Sequence, residues 1–167
     1  MKTSPRTIGT LLILCLLQTI KATTLSLNIP ANPLWTDTGI YLSIGNSVTA
    51  TASGLWNPLT DYPWLQCGPD GTYQSGWTDG FMQGANTGAL IAYVGSDPYQ
   101  GHWGDATFFP QATGYWLIGS SSQFTSSYAG ELWLGFNDDA QTMLTGDNSG
   151  SVLAEVTVVP EPYLGDQ

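Results

Sequence analysis

The sequence predicts an all-β protein, a single domain built as a β-sandwich of jelly-roll-like form. Short runs alternate apolar and polar residues at period two, most plainly Glu131–Phe136 (ELWLGF) and Ser151–Val159 (SVLAEVTVV). That period marks a strand with one buried face. The 20 glycines and 10 prolines fall largely between such runs, where turns need them. After the first 22 residues no helical period is sustained. Many short strands joined by Gly and Pro turns stack as two sheets.

Residues 1–22 stand apart from the fold. Lys2 and Arg6 give a basic start, Leu11 to Leu17 a short apolar core, and Ala22 closes a cleavage region. This is the pattern of an export signal, and its apolar run is too short to span a bilayer. The expectation is a protein secreted to the extracellular space or the periplasm. Cys15 lies inside the apolar core of the signal, so Cys67 is the one cysteine of the exported chain. A single thiol makes no internal disulfide, and Cys67 reads as a small buried apolar residue.

The domain is expected over 23–159. Leu25, Leu27 and Ile29 alternate ahead of Pro30, as in a short edge strand. Ile40, Leu42 and Ile44 share a face, Gly45-Asn46 marks a turn, and Val48, Ala50 and Ala52 alternate with Thr49, Thr51 and Ser53. This predicts a β-hairpin. Asn57 to Gly88 has no clean period, and loops of that length in compact domains are often functional. Ala89–Val94 (ALIAYV) reads as a buried strand. Ser96–Pro110 is a second aromatic loop, carrying His102 and Trp103. Tyr115–Ile118, Glu131–Phe136 and Ser151–Val159 complete the strands. Residues 160–167 are Pro-broken and polar and read as a disordered tail.

Charge narrows the function. Lys2, Arg6 and Lys21 are the only lysines and arginines, and all 13 acidic residues lie beyond residue 22. The exported domain would hold no Lys or Arg. Nucleic acid is excluded as a partner, because nothing neutralises phosphate. An anionic membrane surface is disfavoured for the same reason, and acidic sugars would find no cationic clamp. Each carboxylate must be solvated, hydrogen-bonded or bound to a metal.

The segment Glu131–Val159 runs strand, acidic loop, strand, and reads as a hairpin with an anionic tip. Its loop holds Asn137, Asp138, Asp139, Thr142, Thr145, Asp147, Asn148 and Ser149, with Gly146 and Gly150 for sharp turns. Calcium takes six to eight oxygen ligands, mixing carboxylate, amide and backbone carbonyl. A loop of this composition suits a calcium ion; an ordinary solvated turn has the same residues.

Several segments, in order, then resemble one family. Ala52-Ser53-Gly54-Leu55-Trp56, Gly68-Pro69-Asp70-Gly71, Gly88-Ala89-Leu90-Ile91 with Gly95, and Asn137-Asp138 followed by Asn148-Ser149-Gly150 resemble the galactophilic bacterial lectins of the PA-IL type. The resemblance implies a β-sandwich that binds galactosides through calcium, assembled as a homo-oligomer for avidity. It implies that Asp138 touches both calcium and sugar, that Asp147 and Asn148 stand for an asparagine pair giving side-chain oxygens, and that Leu144 or Thr145 gives a backbone carbonyl. Pro58 or Asn57 would give another. Ser75 and Thr78 fall where the family holds the galactose hydroxymethyl group with histidine and glutamine. Both are shorter, and Trp77 in the same loop offers a ring for a different sugar pocket. Asp139 joins Asp138 and Asp147 as an acceptor for sugar hydroxyls. The loop from Asp138 to Asp147 is longer than the family's, and Asp147 replaces an asparagine.

Two other readings remain open on the sequence. One is a structural or adhesive domain whose calcium only stiffens a loop. The other is a glycoside hydrolase, with Asp138 paired to Glu131 or Asp79. No carboxylate spacing supports the second, no GxSxG elbow accompanies Ser120–Ser122, and one His with one Cys does not make a zinc site. The expectation is a protein that is not an enzyme.

Overall fold

The computed structural model describes residues 21–72, 80–82, 84–96, 98, 114–138 and 147–161. Among the described residues nine strands run in order: β1 (Thr23–Pro30), β2 (Trp35–Leu42), β3 (Ser47–Asn57), β4 (Asp70–Thr72), β5 (Thr87–Gly95), β6 (Tyr115–Leu117), β7 (Ser121–Thr125), β8 (Gly130–Phe136) and β9 (Ser149–Val159). One 3₁₀ turn, Pro63–Leu65, lies between β3 and β4. Among the described residues no helix is long and apolar enough to cross a membrane.

The strands form two antiparallel sheets, confirming the sandwich. The first has the order β1-β9-β3-β7. The second has the order β2-β8-β5-β4, and β6 also pairs with β5. Val48, Ala50, Val152, Ala154, Val156 and Val158 are the buried face of the first sheet. Each sits opposite its partner in register, Val48 on Val158 and Ala50 on Val156. Leu132, Leu134 and Phe136 of β8 and Leu90, Ala92 and Val94 of β5 meet them from the second sheet. β1 is the edge strand its sequence suggests, with Pro30 at its end. β5 is buried along nearly its whole length, as its continuous apolar run implies.

Two expected hairpins are corrected. β2 and β3 do not pair: β2 pairs with β8 in one sheet, and β3 pairs with β9 and β7 in the other. The turn at Gly45-Asn46 is present, but it carries the chain from sheet to sheet. The Asn46 side chain accepts from the Ser43 N–H at 2.9 Å, and Ser126 backbone groups bond Gly45 and Asn46. Ile44 therefore lies exposed rather than on the Leu42 face. Likewise β8 and β9 belong to different sheets, so they do not form the expected hairpin. Alternation at period two fixes which face is buried but not which strand lies alongside.

Trp56 joins the sheets at that end. It lies in β3 of the first sheet, yet its indole N–H donates to the Gly88 carbonyl of β5 at 2.7 Å. Its ring meets Phe136 edge-on, with centroids 4.6 Å apart. Its backbone pairs with Cys67 in both directions. Cys67 is a buried free thiol, as expected. Burial pushes it up to about 11, against a smaller opposing contribution from Trp56. At the opposite edge Trp116 of β6 stacks on Phe124 of β7, with centroids 4.6 Å apart.

The far face of the second sheet carries an aromatic cluster. Trp35 lies 5.3 Å from Phe81 and 6.0 Å from Tyr115, and Tyr115 lies 4.9 Å from Tyr93. Gly135, opposite Trp35 in register, leaves the space for that indole. A Cβ there would meet the Trp35 ring and stand 2.7 Å from the Leu34 carbonyl oxygen. Gly135→Ala is therefore expected to destabilise the domain by about 1–3 kcal/mol, read as a lower urea midpoint at unchanged slope.

Burial raises Tyr115 to about 12, with Tyr93 adding to the rise. Both Cys67 and Tyr115 ionise more readily in the unfolded chain. Their contribution to stability is full below about pH 9, Cys67's own ordinary value being 9.0, and is lost as pH rises through 11 to 12. The melting temperature should fall between pH 9 and 11.5, and the Cys67 thiol should resist alkylation at pH 8 until the chain is unfolded.

Candidate functional site

The strand ends at one end of the sandwich bring three separated segments together. Asn57, the last residue of β3, pairs with Ser149 at the start of β9. Phe136, the last residue of β8, pairs with Leu90, and Asn137 and Asp138 follow it. Asp147 and Asn148 lead directly into β9. The packing of Trp56 on Phe136 holds the first and second of these segments side by side.

Asn148 and Asp138 touch. The Asn148 side-chain Nδ2 donates to Asp138 Oδ2 at 2.7 Å, ten positions apart in the chain. That bond turns the amide so that its oxygen points elsewhere, and Asn148 Oδ1 is buried with no hydrogen-bond partner. Asn148 as a whole is only 6% exposed. Asp147 Oδ1, from the adjacent residue, is also buried without a partner. A buried acceptor left unsatisfied costs about 1–3 kcal/mol, and native structures keep such groups few.

Asp147 as a residue is half-buried, although this one oxygen is covered. Desolvation lifts its carboxyl above the usual value. Its own backbone N–H partly offsets this, and the nearby Asp61 carboxylate adds to the rise. The surroundings thus disfavour the ion when no cation is present.

Asp61 belongs to a loop fastened beside the site. The Thr60 N–H donates to the Asp147 carbonyl at 2.7 Å, and the Thr60 hydroxyl donates to the same oxygen. Asn57 anchors the loop from within: its Oδ1 accepts from the Leu59 N–H at 2.9 Å, and its Nδ2 donates to the Tyr62 carbonyl at 3.2 Å. Pro58 is buried between these contacts. The Asn57 side-chain oxygen is thus already engaged.

Asn137 proves to be a clamp and not a loop donor. It is buried, its Oδ1 accepts from the Met82 N–H at 2.9 Å, and its Nδ2 donates to the Asn86 carbonyl at 3.1 Å. Ser149 lies within β9. Asp70 of the Gly68–Gly71 turn accepts from the Ser120 N–H at 2.7 Å, tying that turn to the start of β7. Of the expected site residues, Asp138, Asp147, Asn148 and Pro58 lie at this strand-end cluster. Leu144, Thr145, Asp139, Ser75, Trp77 and Thr78 lie outside the described residues. Sequence reasoning passed over Thr60 and Asp61. Their run of small and polar residues after the end of β3 was a loop signal, but only the fold shows which segment it meets.

The carboxylate pair considered for glycoside hydrolysis does not form with Glu131. Glu131 is the second residue of β8 and Asp138 lies two residues beyond its last, Phe136, so the five strand rises from Glu131 to Phe136 alone span roughly 16 Å. Paired glycosidase carboxyls stand about 5 to 9.5 Å apart. Asp79 lies outside the described residues.

No protein-family model matches the chain, and no curated protein matches it. Among solved structures, the N-terminal domain of EclA, described as a PllA-like lectin, is similar with a TM-score of 0.56 at 21% identity. The match covers 80% of this chain and 94% of that one. At this identity the likeness establishes the shared sandwich fold.

The site makes one prediction in the absence of any ligand. Asp147→Asn removes a desolvated carboxylate beside Asp61 while keeping its shape. It should raise the melting temperature at pH 7 in the presence of a chelator; an unchanged or lower value would show that the carboxylate is not a burden to the metal-free fold.

Proposed function

We propose that this chain is an exported, calcium-dependent carbohydrate-binding domain, taking a galactoside or a related neutral sugar through hydroxyls on the ion. The observation that carries the reading is the pair of buried, unpartnered oxygens, Asp147 Oδ1 and Asn148 Oδ1, on adjacent residues beside the Asp138 carboxylate. Three features fit calcium to this place. The donors are hard oxygens, as calcium requires. Binding would satisfy acceptors that otherwise bear an unmet desolvation cost. Its charge would offset carboxylates that, beyond Lys21, meet no lysine or arginine along the sequence. Among the described residues no cluster of three His, Cys, Asp or Glu forms; a calcium site here would have to draw on amide and carbonyl oxygens beside its carboxylates.

Asp138, Asp147 and Asn148 would hold the ion, with Pro58 and Leu144 as the backbone donors suggested by the family resemblance. The Asn148 amide holds Asp138 through its Nδ2, and its unpartnered oxygen would serve as a ligand. Calcium held there would supply coordination for vicinal sugar hydroxyls. Asp138, Asp147 or Asp139 would accept from those hydroxyls in charge-assisted bonds, which are stronger than neutral ones. Ser75, Thr78 and Trp77 are the proposed contacts to the rest of the ring. The likeness in fold to a protein described as a PllA-like lectin supports carbohydrate binding over catalysis. The absence of Lys and Arg after Lys21 favours neutral glycans over acidic ones.

Two outcomes are expected. With a dissociation constant near 10⁻⁴ M, millimolar calcium would stabilise the fold by about 1.4 kcal/mol, seen as a higher melting temperature than in chelator. Asn148→Ala should abolish that shift. On a glycan array, binding to neutral glycans should appear with calcium and vanish with chelator. Stability gained from calcium with silence on every glycan would assign the ion a purely structural role.

A further inference from the structure

Two exposed aromatic rings stand beside the proposed ion site without serving the core. Trp64 is 73% exposed and Tyr62 46% exposed. They meet each other edge to face, with centroids 5.1 Å apart and planes at 89°. Such a contact fixes the two rings relative to one another. Their backbone is equally fixed: the Leu65 N–H donates to the Tyr62 carbonyl at 2.9 Å, closing the 3₁₀ turn, and Asn57 Nδ2 donates to the same carbonyl. The rings are therefore carried on a hydrogen-bonded turn.

Their distance from the site is bounded by the chain. Thr60 is bonded to the Asp147 carbonyl, and Trp64 lies four positions further along the chain. Even fully extended, that stretch spans at most about 14 Å, and the turn shortens it. Asp61 lies between, its carboxylate close enough to Asp147 to be felt there. Along the chain from the Thr60 anchor come first the Asp61 carboxylate and then the two aromatic rings.

We infer that Asp61, Tyr62 and Trp64 form a second sugar subsite, which takes the next pyranose of a neutral glycan whose terminal residue is held at the calcium. The inference rests on the lectin reading of the neighbouring site. An indole face offers negative charge to the weakly positive C–H face of a pyranose, and the contact removes apolar surface of both from water. The Asp61 carboxylate accepts from hydroxyls at the ring's rim. A carboxylated sugar is excluded there, because Asp61 and Asp147 would repel it. The occupant is thus a ring-extended neutral glycan, not a second metal and not an acidic saccharide.

The test compares one-ring and ring-extended ligands on the intact chain with saturating calcium. Methyl β-galactoside is the one-ring probe; galactose-terminated neutral di- and trisaccharides are the extended probes. In wild type the best extended probe should bind roughly tenfold tighter than the methyl galactoside, the worth of one good ring contact. Trp64→Ala should remove that advantage, leave methyl galactoside affinity within about twofold, and keep the calcium-induced rise in melting temperature. Trp64→Phe should keep part of the advantage. Equal affinities in wild type, or an advantage that survives Trp64→Ala, would overturn the subsite alone. Loss of calcium binding in Trp64→Ala would make the ring a structural support instead. Wild type that binds calcium but none of these galactosides would overturn the galactoside reading of the primary site, and the subsite with it.

Discussion

The indole N–H of Trp56, donated across the sandwich to the Gly88 carbonyl, is the contact on which the geometry of this molecule turns. Strands within a sheet are held by their ladders, but two sheets are held to each other mainly by side-chain burial, which has no direction. A buried directional bond between them sets their relative position. Trp56 supplies it, and the Phe136 ring packed against the indole adds a second constraint at the same level. The residues that follow Trp56 and Phe136 are the ones that carry the polar cluster, Asn57 to Asp61 on one side and Asn137 and Asp138 on the other. Pinning the sheets at the ends of β3 and β8 lets the chain beyond be irregular without being loose.

That arrangement explains why polar residues are used in opposite ways within a few positions. Asn57 and Asn137 are spent on structure: each is buried, and each bonds backbone groups of a neighbouring loop. Asn148 is buried to the same degree, yet only its amide nitrogen is engaged. The contrast matters because an asparagine that caps a loop normally uses both ends. Asp147 follows the same pattern with one covered, unsatisfied oxygen. A cation of suitable hardness would resolve both at once, whereas water would satisfy the acceptors but leave the mutual repulsion of Asp147 and Asp61 in place.

Much of the fold is legible in the sequence because period and composition encode burial. β5 and β9 announce themselves, one as a continuous apolar run and the other by strict alternation. β7 does not: its sequence Ser121–Thr125 is polar apart from Phe124, because an edge strand needs only one residue to close the sandwich against Trp116. The two strand-turn-strand segments read as hairpins were placed wrongly for a related reason. A turn signal between two alternating runs states that the chain reverses, but both a hairpin and an arch reverse it. The partner of each strand is fixed by contacts far away in sequence, such as Ala50 with Val156, that no local window contains. For the same reason the oxygen-rich stretch Asp138 to Asn148 was visible as a set of donors, while its neighbour at Thr60 and Asp61 was not. Which donors are occupied is a property of the folded chain: Asn137 and Asn148 look alike in sequence and differ only in what surrounds them.

The charge pattern carries the synthesis one step further. A domain with almost no cations cannot neutralise its carboxylates internally, and among the described residues Asp37, Asp61, Asp70, Glu155 and Glu161 need no help because they lie exposed. The exceptions are those that the strand ends force together. There the fold does not spread the charges apart; it bonds Thr60 to Asp147 and Asn148 to Asp138, and so keeps them close. Holding like charges together in the absence of a counter-ion makes the metal-free state less stable than it need be. On the proposed calcium reading it would also remove the need to gather ligands, since the ordering cost would already have been met in folding. A site built this way would exchange some intrinsic stability for affinity. The exposed rings at Tyr62 and Trp64 follow the same principle on a smaller scale, holding apolar surface in water so that a partner can cover it.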